Sequence, residues 1–195
     1  MRKVLIGSLV AVAAGLAVRA AQDHPPMPRP TKEHEWLKQF EGTWEGEIQM
    51  LVDPMNPGKK LETPTKSKVT ETTRMVGGFW AVPVVKGEIP IPEAPSGQPF
   101  EGQGQFGYDA AKGKYVGTWI DSMMPFLWTY EGSVDASGKT LTFEAMGPSC
   151  TDPTRMAKYR DVHEFLDRST RRMSSATEVD GKWIQMMKAE LKRTK

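Results

Sequence analysis

Two runs near the middle of the chain, Lys114–Ser122 and Phe126–Val134, constrain its fold more than any other feature. Tyr115 and Trp119 fall on one side of the first, and Phe126, Trp128 and Tyr130 on one side of the second. Aromatic residues kept to one parity mark half-buried antiparallel strands, because successive side chains of a strand point to opposite faces. The short Met123-Met124-Pro125 link makes the two runs neighbours. Asp121 shares the Trp119 side, which sets an acid among the rings.

The same reading extends in both directions. It predicts ten strands: Thr43–Val52, Ser67–Val76, Phe79–Lys86, Phe100–Tyr108, Lys114–Ser122, Phe126–Val134, Lys139–Met146, Ala157–Leu166, Thr170–Glu178 and Lys182–Leu191. Turn residues separate them, among them Gly77-Gly78, the Asp135–Gly138 segment and Val179-Asp-Gly181. Many short strands without intervening helices imply a sandwich or a barrel. Connection lengths choose between the two. If each strand returns beside the last, the alternate connections Asp53–Lys66, Gly87–Pro99 and Gly147–Met156 are the long ones. All three then lie on one rim, and the opposite end has only short turns. A closed up-and-down barrel of about ten antiparallel strands also leaves no sheet edge exposed.

Ahead of the strands, Thr31 suits a helix N-cap, with Glu33 and Glu35 in the first turn and Gly42 as the stop. Trp36, Leu37 and Phe40 share one face of this segment. A helix so short is stable only when docked on apolar surface. It reaches the first strand from the short-turn end, so it is expected to plug that end.

The N-terminus is set apart from the domain. Met1-Arg2-Lys3, the apolar run Val4–Val18 and Val18-Arg19-Ala20 read as a secretory signal peptide over residues 1–20, cut after Ala20. The apolar run is shorter than the roughly 20 residues of a spanning helix. Contact with a membrane is therefore expected only through this segment if it stays uncleaved, and otherwise a periplasmic or secreted location. Residues 21–30, with Pro25, Pro26, Pro28 and Pro30, form an extended linker, and 31–195 the barrel domain. Cleavage would remove Arg2, Lys3 and Arg19 from 26 Lys+Arg, leaving 23 against 24 Asp+Glu. A near-neutral domain argues against nucleic acid as a partner. Cys150 is the only cysteine, so no internal disulfide forms, and no cationic neighbour is evident to activate it.

Gly42-Thr43-Trp44, following a short helix and opening the first strand, resembles the Gly-x-Trp start of lipocalins and their calycin relatives. The resemblance implies that Trp44 packs at the closed end beneath a basic residue of the last strand, here Arg193 or Lys192. A wider pattern is His34-Glu35-Trp36-Leu37, Gly42–Gly46, Gly107-Tyr108-Asp109, Gly117–Ser122 and Lys158–Asp161. It resembles a mostly bacterial family, the domain of unknown function 1579, from about Thr31 to the C-terminus. That resemblance implies a lipocalin-like barrel and brings no activity, cofactor or catalytic residue.

If Trp44 points inward, so should Ile48 and Met50, with Phe106, Tyr108, Tyr115, Trp119, Asp121, Phe126, Trp128, Tyr130, Leu141, Phe143, Ala145, Trp183, Met187 and Leu191. Such residues either fill the interior as a packed core or line a space for one small apolar or amphipathic molecule. Trp119, Asp121, Trp128, Tyr130 and Arg160 are the candidate ligand-binding residues. Asp121 is open to three roles: a ligand anchor, an acid/base beside Tyr130 in an enzyme acting on a small molecule, or a structural carboxylate. In the last role it would pair with Arg160 or cap backbone near Ser122. Tyr159, Asp161, His163 and Phe165 share one face of their strand. Ten-stranded barrels related to nitrobindin bind haem through one strand histidine, a role for which His163 is the candidate here. The three histidines show no zinc spacing, so no metal site is expected. There is no nucleophile elbow, His-Glu-x-x-His, Cys-x-x-Cys or phosphate loop. Gly102-x-Gly104-x-x-Gly107 has dinucleotide-fingerprint spacing but lies inside a strand, where its glycines serve close packing.

Overall fold

A computed structural model describes residues 27–91 and 94–195. The expected export signal and most of the linker lie outside the described residues. Helix α1 (Lys32–Leu37) and a 3-10 turn (Lys38–Phe40) lead into ten strands: β1 (Gly42–Asp53), β2 (Asn56–Val76), β3 (Trp80–Ile91), β4 (Ala94–Asp109), β5 (Lys114–Asp121), β6 (Met124–Val134), β7 (Thr140–Pro148), β8 (Met156–Phe165), β9 (Thr170–Val179) and β10 (Lys182–Arg193). Each strand pairs antiparallel with the next, and β10 closes on β1. The result is a closed barrel of lipocalin-like form. Asp180 and Gly181 both take positive φ (51° and 73°), as the two-residue turn between β9 and β10 requires.

The plug forms as its sequence requires. At the N-terminus of α1, the N–H of the N-cap Thr31 donates to His34 Nδ1 at 3.0 Å. Leu37 and Phe40 are wholly buried, and the Trp36 ring meets Tyr115 and Phe165 edge-on at 5.6 Å. Trp36 Nε1 donates to the Gly138 carbonyl in the β6–β7 turn (2.7 Å), which pins the helix across the short-turn end. Trp44 packs behind it and donates to the Phe40 carbonyl at 2.9 Å. The Arg193 guanidinium lies 4.2 Å from the Trp44 ring, so the last-strand base is Arg193.

Inside, glycines sit opposite rings. Gly104 pairs with Trp119, Phe106 with Gly117, Gly117 with Tyr130, and Gly132 with Phe143. A Cβ at Gly104 or Gly117 would lie 2.9 Å from the Trp119 ring or 2.7 Å from the Phe106 ring. The bare backbone leaves room for large rings inside a narrow barrel.

Three expectations are corrected. Asp53–Lys66 and Gly87–Pro99 are not open loops: β2 begins at Asn56, and β3 and β4 run to Ile91 and from Ala94. Proline is tolerated there because these two-stranded arms extend past the barrel and leave one edge of each strand unpaired. Only 149–155 remains a long connection. Trp183 faces outward, because the β10–β9 register shifts between Gln185 and Met187 and the extra residue reverses parity beyond it. Arg160 also faces outward, one residue out of step with inward Tyr159 and Asp161. It donates to Glu144 (2.6 Å from Nη2) and stacks on Trp183 at 3.9 Å.

Candidate functional site

The interior divides into a packed floor and a partly open upper half. In the floor, Phe40, Phe106, Phe143 and His163 pack together, His163 edge-on to Phe40 and Phe143 and tilted against Phe106, with Phe40–His163 centroids 5.2 Å apart. Beneath them lies Arg171 on β9, 0% exposed. Its guanidinium forms an ion pair with Glu71 of β2, sits 5.1 Å from the Trp44 ring, and reaches His163 Nδ1 at 3.3 Å. Thr73 donates to the second Glu71 oxygen at 2.8 Å. A charge so buried needs this set of partners. Burial, and then the adjacent Arg171 cation, push His163 down to about 3. The ring is therefore neutral, with Nδ1 accepting and the proton on Nε2.

His163 does face inward, but the haem role does not fit. Three phenyl rings and Arg171 enclose the imidazole, and a porphyrin has no face to approach. No histidine, cysteine and carboxylate cluster able to hold a metal occurs among the described residues.

The upper half is built on β4 to β9. Trp119 lies over Gly102 and Gly104, and its Nε1 donates to Asp121 Oδ2 at 3.0 Å. The other Asp121 oxygen accepts from the Met123 N–H at 2.8 Å. Asp121 thus fixes the β5–β6 turn and the Trp119 ring, and it does not meet Arg160. Trp128 is buried against Gly147 and meets Tyr159 edge-on at 4.8 Å. Tyr130 is buried next to it on the same strand face.

Asp161 is the polar centre of this half. It faces inward from β8 between buried Phe143 and buried Ser175, its partners in β7 and β9. Burial raises its carboxyl above the ordinary range, and the nearby Ser175 and Tyr130 hydroxyls oppose the rise. The same burial, then the Asp161 charge, raise the Tyr130 hydroxyl, with a lesser contribution from Asp121. Asp161 nevertheless keeps part of its surface accessible, as do inward Trp119, Phe100 and Phe126.

Of the residues the sequence proposed, Trp119, Asp121, Trp128 and Tyr130 come together on β5 and β6, and Arg160 stays outside. Asp161, Ser175, Glu71 and Arg171 carry the interior polarity that sequence reasoning did not assign. For Asp161 the signal was present in the face it shares with Tyr159 and His163.

The family model described as "Protein of unknown function (DUF1579)" matches residues 29–193. The chain belongs to this family. No curated protein sequence matches it. Among solved structures it is similar to Rv2717c from M. tuberculosis, with 13% identity and a TM-score of 0.56 over 85% of this chain and 99% of that one. It is also similar to the S-type phycobiliprotein lyase CPES from Guillardia theta, with 12% identity and a TM-score of 0.51 over 85% and 99%. At these identities the likeness is one of fold.

Proposed function

We propose that this protein is an exported carrier that holds one small hydrophobic or amphipathic molecule in the upper half of its barrel. The supporting observation is that the inward side chains Phe100, Trp119 and Phe126 are only partly buried, although they belong to the aromatic lining of the barrel. A fully packed core would have buried those rings. Trp119, Trp128 and Phe126 would contact the apolar body of the ligand, and Tyr130 and Asp161 its polar end. Asp161 has no cation among its neighbours, so a neutral hydrogen-bond donor or a cationic head group suits the site better than an anion. Export rests on the Met1–Ala20 sequence pattern.

Native mass spectrometry of protein purified gently from its own compartment, followed by organic extraction, tests this reading. A retained small molecule of stoichiometric amount is expected. A clean apo mass that persists after incubation with neutral and cationic amphipaths would overturn it.

A further inference from the structure

The wall of the barrel is paired to the rim everywhere around β6 and β7 except between them. The β5–β6 ladder runs up to Asp121↔Met124, and the β7–β8 ladder to Pro148↔Met156. Between β6 and β7 only four pairs form, from Val134↔Leu141 to Glu131↔Glu144. Beyond these, both strands continue toward the rim without pairing. The sequence supplies a reason. Pro125 and Pro148 stand on the two unpaired lengths, and neither has an N–H to give to a ladder. The Pro148 carbonyl accepts instead from the Tyr159 hydroxyl at 2.6 Å.

A side chain fills this seam. Continuing the register places Trp128 opposite Gly147, and the indole lies directly on the bare Gly147 backbone, with the Tyr159 and Phe126 rings edge-on to it. Outside, the lips of the seam are apolar and uncovered: Leu127 is 56% and Met146 47% exposed. At the rim, Ile89 at the base of the β3–β4 arm is buried (9% exposed) within the interior apolar cluster.

From this geometry we infer that the β6–β7 seam, and not the loop rim, is the way into the lumen, with the Trp128 indole as its door. The inference rests on the carrier reading above. Opening the seam breaks no ladder hydrogen bond, whereas the neighbouring β5–β6 and β7–β8 seams are laddered to the rim. Rotation of one indole off Gly147 exposes the aromatic face beside Tyr130 and Asp161. Apolar lips at Leu127 and Met146 would give a hydrophobic ligand its first contact.

The test bridges the seam. In a Cys150→Ser background, Thr129→Cys and Met146→Cys place two outward thiols on facing lengths of β6 and β7. They are joined by a short bis-methanethiosulfonate reagent and released by reductant. The probe is Nile red, followed by stopped-flow fluorescence, with the reduced form of the same variant as its own folding control. Bridging is expected to slow both uptake and release by about tenfold or more, leave the equilibrium affinity unchanged, and reverse on reduction. Gly147→Ala, whose Cβ would displace the indole, is expected to speed both rates. Nile red that binds with the same rate constants whether bridged or reduced overturns the seam and leaves the carrier reading intact. Failure of the reduced and the unmodified protein to bind any probe overturns both.

Discussion

Arg193 stacks its guanidinium on the Trp44 indole at 4.2 Å and donates to three carbonyls, those of Glu41, Gln39 (2.8 Å) and Arg168 (2.9 Å). One side chain of the last strand thereby ties the plug to the first strand and to the β8–β9 turn. Neutral truncation, Arg193→Met, removes the stacking and leaves the plug carbonyls unpaired. A loss of about 2–4 kcal/mol in urea unfolding is expected from the charged hydrogen bonds and the cation–π contact together. Arg193→Lys should recover less than half, since an ammonium cannot serve three carbonyls in one plane. A loss below about 0.5 kcal/mol for Arg193→Met would mean that the plug is held by Leu37 and Phe40 alone.

The Arg171–Glu71 pair makes a sharper stability test. Arg171→Met strands the Glu71 carboxylate inside the barrel, and a cost of about 3–5 kcal/mol is expected. The double change Arg171→Met with Glu71→Leu removes both charges and should regain most of that loss. A double-mutant cycle by chemical denaturation reads the difference. Additive losses would show that the two side chains do not act as a pair.

His163 links this floor to pH. Its folded value is held near 3, against about 6.5 in an unfolded chain. Below about pH 6.5 the unfolded state takes up a proton that the folded state refuses, so stability falls as pH drops toward 3. The slope approaches about 1.4 kcal/mol per pH unit between these limits. Asp161 works in the opposite sense, because its raised carboxyl favours the folded state as pH falls through it. Comparison with His163→Asn, which keeps an acceptor for Arg171, isolates the histidine. The variant should lose less stability between pH 7 and pH 5, by about 2 kcal/mol. Parallel curves for the two proteins would rule out the buried neutral imidazole.

Much of this architecture was legible because the barrel wall is polar outside and apolar inside over long stretches. Gln103 and Gln105 alternate with Gly104 and Phe106, and Thr129 and Glu131 with Trp128 and Tyr130, so parity alone located the core. Parity failed at Trp183, where one extra residue near Met186 reverses the faces, since nothing local to the sequence marks a bulge. It misled at the Pro-containing segments because proline excludes only a ladder partner on its N–H side, and an arm with a free edge needs none. The pairing of Arg171 with Glu71 joins strands far apart in sequence, and no periodic pattern can report such a contact. Arg160 could have been placed: it lies out of step with Tyr159, Asp161 and His163, the face that turned out to be buried.

Asp161 offers the test that separates a binding residue from a structural one. Its carboxyl is raised chiefly by burial, so at pH 7 the folded protein bears the cost of holding a desolvated acid or its proton. Asp161→Asn keeps the shape and the contacts to Tyr130 and Ser175 while removing that cost. The variant is therefore expected to have a higher urea midpoint than the wild type at pH 7. The gain should shrink as pH falls and the wild-type carboxyl becomes neutral in both states. A residue that costs stability and is nevertheless present fits a site selected for binding. The same substitution should weaken a cationic amphipath more than a neutral one of equal size, with the outward Arg160→Ala as a control that changes neither affinity. An Asn variant less stable than the wild type at pH 7 would make Asp161 a structural hydrogen-bonding centre for Tyr130 and Ser175. Equal weakening of the cationic and the neutral amphipath would remove its charge from ligand selection.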